Sequence, residues 1–386
     1  MKKYIKLLLI PFIYTVYSFT GVVSETPSSS DTTGIEVNRL PGKLPQLGFA
    51  CELDPGPLQT LLNKPGLISD VRELKAYISL AIRDMSEERA MAVRQLNNEG
   101  IPVIAWLALP KEKGYYMNAG NSSQAIERFA EFEAWTAKFN LKWRGVGIDI
   151  EPDFAEFGRL RKSSKWDLVK TILARSVSFK RARQAKEATK IYDGFIKQIE
   201  DHGYPVQTYQ LSFVADERKA HSTLLDRIVG VVPAHGRTEA MMLYTSFSHN
   251  LGSSLVWNYG PESQAIIVGV TGGGADSASS SRDVPLNWKE LSGDLIVASH
   301  FTSDIGIFSL EGCVKQGFLP LLKDFNWDQT VILSGESVKK AAHFRKGIQS
   351  AIWIVTNLSY LVAGIVLLFI WLFWFRHRRK ELRRSH

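Results

Sequence analysis

Cysteine is scarce: two residues in 386, Cys51 and Cys313, are too few for a disulfide scaffold and too far apart for the clustered spacing of a structural zinc site. At most one bridge can form. The body of the chain also lacks a charge of one sign. The formal net charge is +8, but Lys2, Lys3 and Lys6 contribute three positive charges and the tail Arg376 to His386 a net five, so the residues between are balanced. No nucleic-acid partner is expected. Metal-ligand spacing is missing as well: His202, His221, His235, His249 and His300 show none, so neither metal nor cofactor is expected. What is present, 45% apolar and 22% charged residues, excludes a disordered or fibrous chain.

The two ends carry uninterrupted apolar runs. Residues 1–24 begin with lysines, continue through Leu7 to Tyr14 and reach small residues, as a secretory signal peptide does, with Val22 and Ser24 flanking cleavage before Glu25. An uncleaved anchor is the competing reading. Residues 25–43, rich in Ser, Thr and Pro, read as a flexible lead. Ala351 to Phe375 is 25 residues without a charge, longer than the ~20 that cross a bilayer. It predicts a transmembrane helix, preceded by a juxtamembrane segment at 335–350. The basic tail 376–386 is then cytoplasmic by the positive-inside rule. The expected topology is single-pass type I, with membrane lipid as one partner and the folded part extracellular, periplasmic or lumenal, where cysteines can oxidise. Asn121-Ser122-Ser123 is a glycosylation sequon exposed to the same compartment.

Between 44 and 334 short apolar runs alternate with longer segments of helical periodicity. The strand candidates are Leu47–Cys51, Ala76–Ile82, Pro102–Leu109, Val146–Ile150, Gln207–Val214, Ala240–Tyr244, Ile266–Val270 and Ile305–Leu310. Ser86 opens one helix, Ser122–Phe139 forms another, and Ser164 with Asp167 three residues later caps a long helical region closing near Gly203. Continuous apolar strands alternating with helices imply a parallel sheet, and eight units over about 285 residues match the ~250 of a (β/α)8 TIM-like barrel. A doubly wound open sheet is the competitor. Cys51 ends the first strand and Cys313 follows the eighth, and these strands are neighbours only if the barrel closes. A Cys51–Cys313 disulfide is therefore expected from closure, with two buried free thiols as the alternative.

Catalytic groups in such barrels gather at the carboxyl ends of strands. Gly145-Val-Gly-Ile-Asp149-Ile-Glu151-Pro-Asp153 places three acids two residues apart, on one face while the chain is extended. Crowded carboxyls raise each other's pKa, which leaves one protonated near neutrality, as glycoside hydrolysis needs from its general acid.

The same segment resembles the chitinase-like glycoside hydrolases of family 18, whose fourth strand reads Asp-x-x-Asp-x-Asp-x-Glu. Here Val146 replaces the first Asp, Gly147-Ile148-Asp149-Ile150 agrees, and the last two acids are interchanged as Glu151 and Asp153. Met242-Leu243-Tyr244 matches the family's Met-x-Tyr-Asp except that Thr245 stands for the Asp.

From the residues themselves, Glu151 is the expected general acid, Asp149 its electrostatic partner and Asp153 its competitor. Glu52 and Glu311 supply carboxylates across the mouth, and Tyr244 orients a substrate oxygen or fills the barrel. Trp106, Tyr115 and Tyr116 are expected to bind sugar faces, or else to pack as buried aromatics. The expected function is a membrane-anchored extracytoplasmic glycoside hydrolase. The alternative is a catalytically inactive chitinase-like protein for carbohydrate binding or adhesion.

Overall fold

The computed structural model describes residues 34–42, 44–273 and 284–382. The expected signal peptide, the first part of the expected lead, residues 274–283 and residues 383–386 lie outside these residues. Among the described residues there are ten strands. β1 is Gly34–Val37, β2 Gln46–Cys51, β3 Tyr77–Ile82, β4 Val103–Leu107, β5 Gly145–Asp149, β6 Val206–Leu211, β7 Thr238–Leu243, β8 Ala265–Gly269, β9 Asp304–Phe308 and β10 Val331–Ser334. β2 to β9 pair in sequence order and close into a barrel. Closure is made by β2 on β9, parallel, with Leu47 opposite Ile305 and Phe49 opposite Ile307. This is the predicted (β/α)8 arrangement, and each of the eight expected strands is present within a few residues.

Alternation explains the packing. Along β5, Val146 and Ile148 face outward into the main core beneath the helices, while Gly145, Gly147 and Asp149 face the barrel interior. A Cβ on Gly147 would lie 2.8 Å from the Tyr209 hydroxyl, so only glycine leaves room for that tyrosine inside the ring. Helix starts follow their caps. Ser86 accepts from Arg89 N, and Ser164 accepts from Asp167 N as expected. The region after Ser164 is interrupted, however, forming helices Lys165–Ser176 and Phe179–Asp201 after a shorter Phe154–Lys162.

Four expectations are corrected. The lead 25–43 is not wholly flexible, because β1 pairs antiparallel with β10 and buries Val37 completely. The Cys51–Cys313 disulfide does not form. Both cysteines are free and buried, because closure brings the strands together but Cys313 lies on helix Leu310–Gln316 with its Sγ 3.8 Å from Thr271 Oγ1. The 335–350 segment is not a spacer. Helix Gly335–Thr356 packs Ile348, Ile352 and Val355 against Leu168, Ile172, Leu224 and Ile228. Residues 351–356 therefore belong to the barrel domain rather than to a membrane span. A second helix, Leu358–Leu382, follows, with Ile365 to Phe375 exposed. Among the described residues no helix is long and apolar enough to cross a membrane. Side chains of this last helix are described over only part of its length.

Candidate active site at the mouth of the barrel

Asp149 is the last residue of β5 and is 2% exposed. The row of acids holds for one more step. Met117 bridges Ile150, keeping the chain extended past the strand, so Glu151 stays on the interior side, where its charge acts on Asp149, Tyr116 and Tyr244. Asp153 leaves the row. Its Oδ1 accepts from Glu156 N at 2.7 Å as the N-cap of helix Phe154–Lys162, and a Cβ on Gly114 would meet its Oδ2 at 2.9 Å. Pro152 starts this turn by removing a ladder donor. Asp153 therefore caps this helix and stands outside the row that Asp149 and Glu151 share.

Glu52, directly after β2, acts electrostatically on Asp149, Tyr116 and Tyr244, so it belongs to the same cluster. Tyr115 donates a hydrogen bond to Glu52. Arg83, directly after β3, lies beside Glu52 and Tyr115 and pairs with Asp54 at 2.6 Å. Two carboxylates from the end of β5 and one from the end of β2 thus share the mouth with tyrosines 115, 116 and 244. Glu311 is placed elsewhere, beside the Cys51 thiol and against Gly273. Its position in the first turn of helix Leu310–Gln316 points it to the outer wall of β2, not to Asp149.

Burial, then the charges of Glu151 and Glu52, push the Asp149 carboxyl well above the usual carboxylate range. The Trp106 indole N–H opposes that shift. Its contact is loose, since Trp106 Nε1 and Asp149 Oδ1 are both buried and neither closes a hydrogen bond of normal geometry within the protein. Tyr116 and Tyr244 are pushed up by burial first and by Glu151 next, so both hydroxyls remain protonated donors. Below them the barrel interior holds a cavity of about 30 Å³, lined by Asp149, Trp106, Tyr209, Ser79 and Gln207. It has room for one or two waters and none for a sugar ring.

The aromatic expectations divide. Trp106 is 5% exposed and meets Tyr209 edge-on at 5.8 Å, as an interior packing residue. Tyr115 is equally buried. Tyr116, half-buried, and Tyr244, half-buried against Phe308 at 5.5 Å, face the mouth. Asn121 does not fit its expected role as a glycan acceptor. It is buried, and its Nδ2 donates to Lys113 O at 3.1 Å and Tyr116 O at 2.9 Å, which leaves no access for a glycan. Sequence reasoning missed Arg83, Ser79 and Tyr209. Arg83 had a signal, since it follows a strand end as Glu52 does. The Ser79–Tyr209 hydroxyl pair, at 2.5 Å, joins strands that are not adjacent and had none. Among the described residues no cluster of His, Cys, Asp and Glu is arranged to hold a metal ion.

No family model and no curated protein matches the sequence. Solved structures it is similar to include a GH18 chitinase from Flavobacterium johnsoniae, at 13% identity over 78% of this chain and 94% of that one, with a TM-score of 0.39. An AP endonuclease of family 2 from Brucella melitensis is 10% identical over 72% and 99%, with a TM-score of 0.38. The catalytic domain of a mannanase from Streptomyces sp. is 9% identical over 75% and 84%, with a TM-score of 0.33.

Proposed function

We propose that this protein is a glycoside hydrolase of the barrel type, working by carboxylate general acid catalysis at the mouth formed by β2 and β5. The observation that supports it is the gathering of Asp149, Glu151 and Glu52 with the protonated hydroxyls of Tyr116 and Tyr244. Glu151 is the group nearest solvent and donates the proton to the leaving oxygen. Asp149, buried and proton-holding, keeps the cluster's net charge low and hydrogen-bonds or relays toward Glu151. Glu52, oriented by Tyr115 and flanked by Arg83, is the carboxylate placed to support the positive character that develops at the sugar carbon. The two tyrosine hydroxyls hold substrate oxygens in position.

The chain is further proposed to be anchored through helix Leu358–Leu382. Its part from Leu358 to Phe375 has no charge, and at 1.5 Å per residue it measures about 27 Å, close to the ~30 Å hydrocarbon core. The basic tail then lies in the cytoplasm and the barrel on the other side.

One observation favours a second reading, a carbohydrate-binding protein without turnover. The interior cavity is too small for a sugar ring, and Trp106 and Tyr115 are sealed in. A panel of fluorogenic glycosides assayed with the full chain and with Glu151→Gln separates the two. Hydrolysis that falls by about 10²- to 10⁴-fold in the variant supports catalysis. A parent protein that binds glycans and turns none over removes it.

A further inference from the structure

Helix Gly335–Thr356 climbs the outside of the barrel, and its neighbours give its direction. It starts directly after β10, whose partner β1 leads to Asn38 and Leu40. Asn38 O accepts from His300 Nδ1 at 2.8 Å, and Leu40 N donates to Ser299 O at 3.2 Å, where the chain enters the amino end of β9. One turn on, Val338 O accepts from Asn258 Nδ2 at 3.3 Å, and Arg345 reaches Glu262 at 2.6 Å just before β8. The far end of the helix sits elsewhere. Thr356 Oγ1 is 2.6 Å from Ser222 Oγ, and Ile352 and Val355 pack on Leu224 and Ile228. The next turn, at Gly230, accepts a hydrogen bond from Ala119 N at 2.8 Å, two residues beyond the Met117 that bridges Ile150 past the end of β5. The helix therefore runs from the amino face to the carboxyl face, and its 22 residues cover about 33 Å. Asn357 keeps a near-helical backbone, φ −96° and ψ 11°, and accepts from Leu361 N at 3.0 Å. The chain thus enters helix Leu358–Leu382 from the same end of the barrel as the mouth.

The surface around that exit has a matching chemistry. Trp166 is 55% exposed, Phe179 92% and Trp353 50%. From Phe154 to Lys190 the chain has eleven Lys or Arg against three Asp or Glu, and Lys170, Lys180, Arg183 and Lys186 are exposed. Gln184, in the second turn of the helix that Phe179 opens, donates to Ala119 O at 3.3 Å, which places the start of this helix at the mouth end. Exposed aromatics beside lysines and arginines are the composition of a surface resting in lipid headgroups, where rings sit at the interface and cations meet phosphates.

The geometry points to a mouth that faces the bilayer, with helix 165–176 and the first turns of helix 179–201 seated on anionic headgroups, so that the substrate is a glycan tethered to that same membrane, such as a lipid-linked saccharide. This rests on the anchored reading above. The test uses the full chain in vesicles of phosphatidylcholine and phosphatidylglycerol with nitroxide-labelled headgroups. A fluorophore is attached through Phe179→Cys or, at the opposite face, Ile332→Cys; Cys51 and Cys313 are fully buried and remain unlabelled, and Ile332 is 68% exposed. The label at 179 is expected to lose about half its emission or more. The label at 332, at the opposite face of the barrel beyond the start of the ~33 Å helix, is expected to lose less than about a tenth. Equal or reversed quenching in protein that floats with the vesicles overturns the membrane-facing mouth and leaves the anchor standing. A chain that does not float removes both. In phosphatidylcholine alone the quenching at 179 is expected to fall about twofold, and no change there overturns the anionic-headgroup contact.

Discussion

A carboxyl buried away from water prefers to keep its proton, and this chain uses that preference at more than one position. At Asp149 the neighbours are two further carboxylates, which makes the proton available to chemistry. At Asp294, on helix Trp288–Ser299, the neighbours are hydroxyls: Ser253 Oγ donates at 2.6 Å and Thr245 Oγ1 also donates. Burial still dominates and pushes the Asp294 pKa up to about 7. The folded state then holds a proton that the unfolded chain releases above about pH 4. Stability from this group is complete below that pH and is lost as pH rises toward 7. Asp294→Asn keeps an acceptor for the hydroxyls and removes the titration. Thermal unfolding should show the variant gaining on the parent between pH 4.5 and pH 8 by roughly 3 kcal/mol. A difference that stays constant over that range would show that Asp294 does not titrate there. The position was invisible in the sequence, because nothing near Asp294 in the chain indicates that hydroxyls from 245 and 253 will enclose it.

At the scale of one element, the helix Gly335–Thr356 is tied to the barrel by a buried polar network beside its apolar seam. Arg345 donates to Asp216 Oδ1 at 2.7 Å and to Glu262 at 2.6 Å, and its guanidinium lies 4.1 Å from the centre of the Tyr259 ring. Tyr259 donates to the other Asp216 oxygen at 2.5 Å, and Gln349 adds a bond at 2.8 Å. Asp216 has no exposed surface. Arg345→Met leaves that carboxylate buried without its cation, which costs about 3–5 kcal/mol in chemical denaturation. Adding Asp216→Leu to the same chain should recover part of the loss, and an unchanged double variant would refute the network's role. The helix was hidden in the sequence by its ambiguity: a polar stretch before a long apolar run reads as a spacer unless its seam partners, 120 to 187 residues earlier, are known. The basic stretch 154–190 is visible in the sequence, where Lys180 to Lys186 reads as the solvated face of a helix, but the total charge conceals its extent. Its charge is cancelled in the total by acids elsewhere on the barrel, so a sum over the chain shows neutrality where the surface has a strong asymmetry.

For the whole molecule, the consequence is a domain boundary at Asn357 rather than at 334. A chain that ends at Asn357 keeps the seam of Ile348, Ile352 and Val355 covered, while one that ends at Ser334 exposes Leu168, Ile172, Leu224 and Ile228. The longer form should unfold cooperatively within a few degrees of the full chain. The shorter should lose on the order of 5 kcal/mol or aggregate. Circular dichroism melts of the two decide this, and equal stability would return 335–350 to the status of a spacer.

The barrel itself was legible from the residues alone. Eight apolar runs of strand length, separated by helical periodicity, narrow the topology to a closed barrel or a doubly wound sheet once parallel pairing and right-handed crossovers are imposed. The pairing of β2 with β9 decides for the barrel. Asp149 and Glu151 were legible for the same reason, since period-two spacing at a strand end sends both to one side. The side-chain partners were not. Whether Cys51 met Cys313, whether Asp153 stayed in the row or capped a helix, whether Asn121 reached solvent, and which end of the barrel the last helix leaves were decided by contacts between segments far apart in the chain. Local patterns record the preferences of neighbours in sequence; packing density forces every buried atom to find partners across the fold, and only the assembled molecule states which ones.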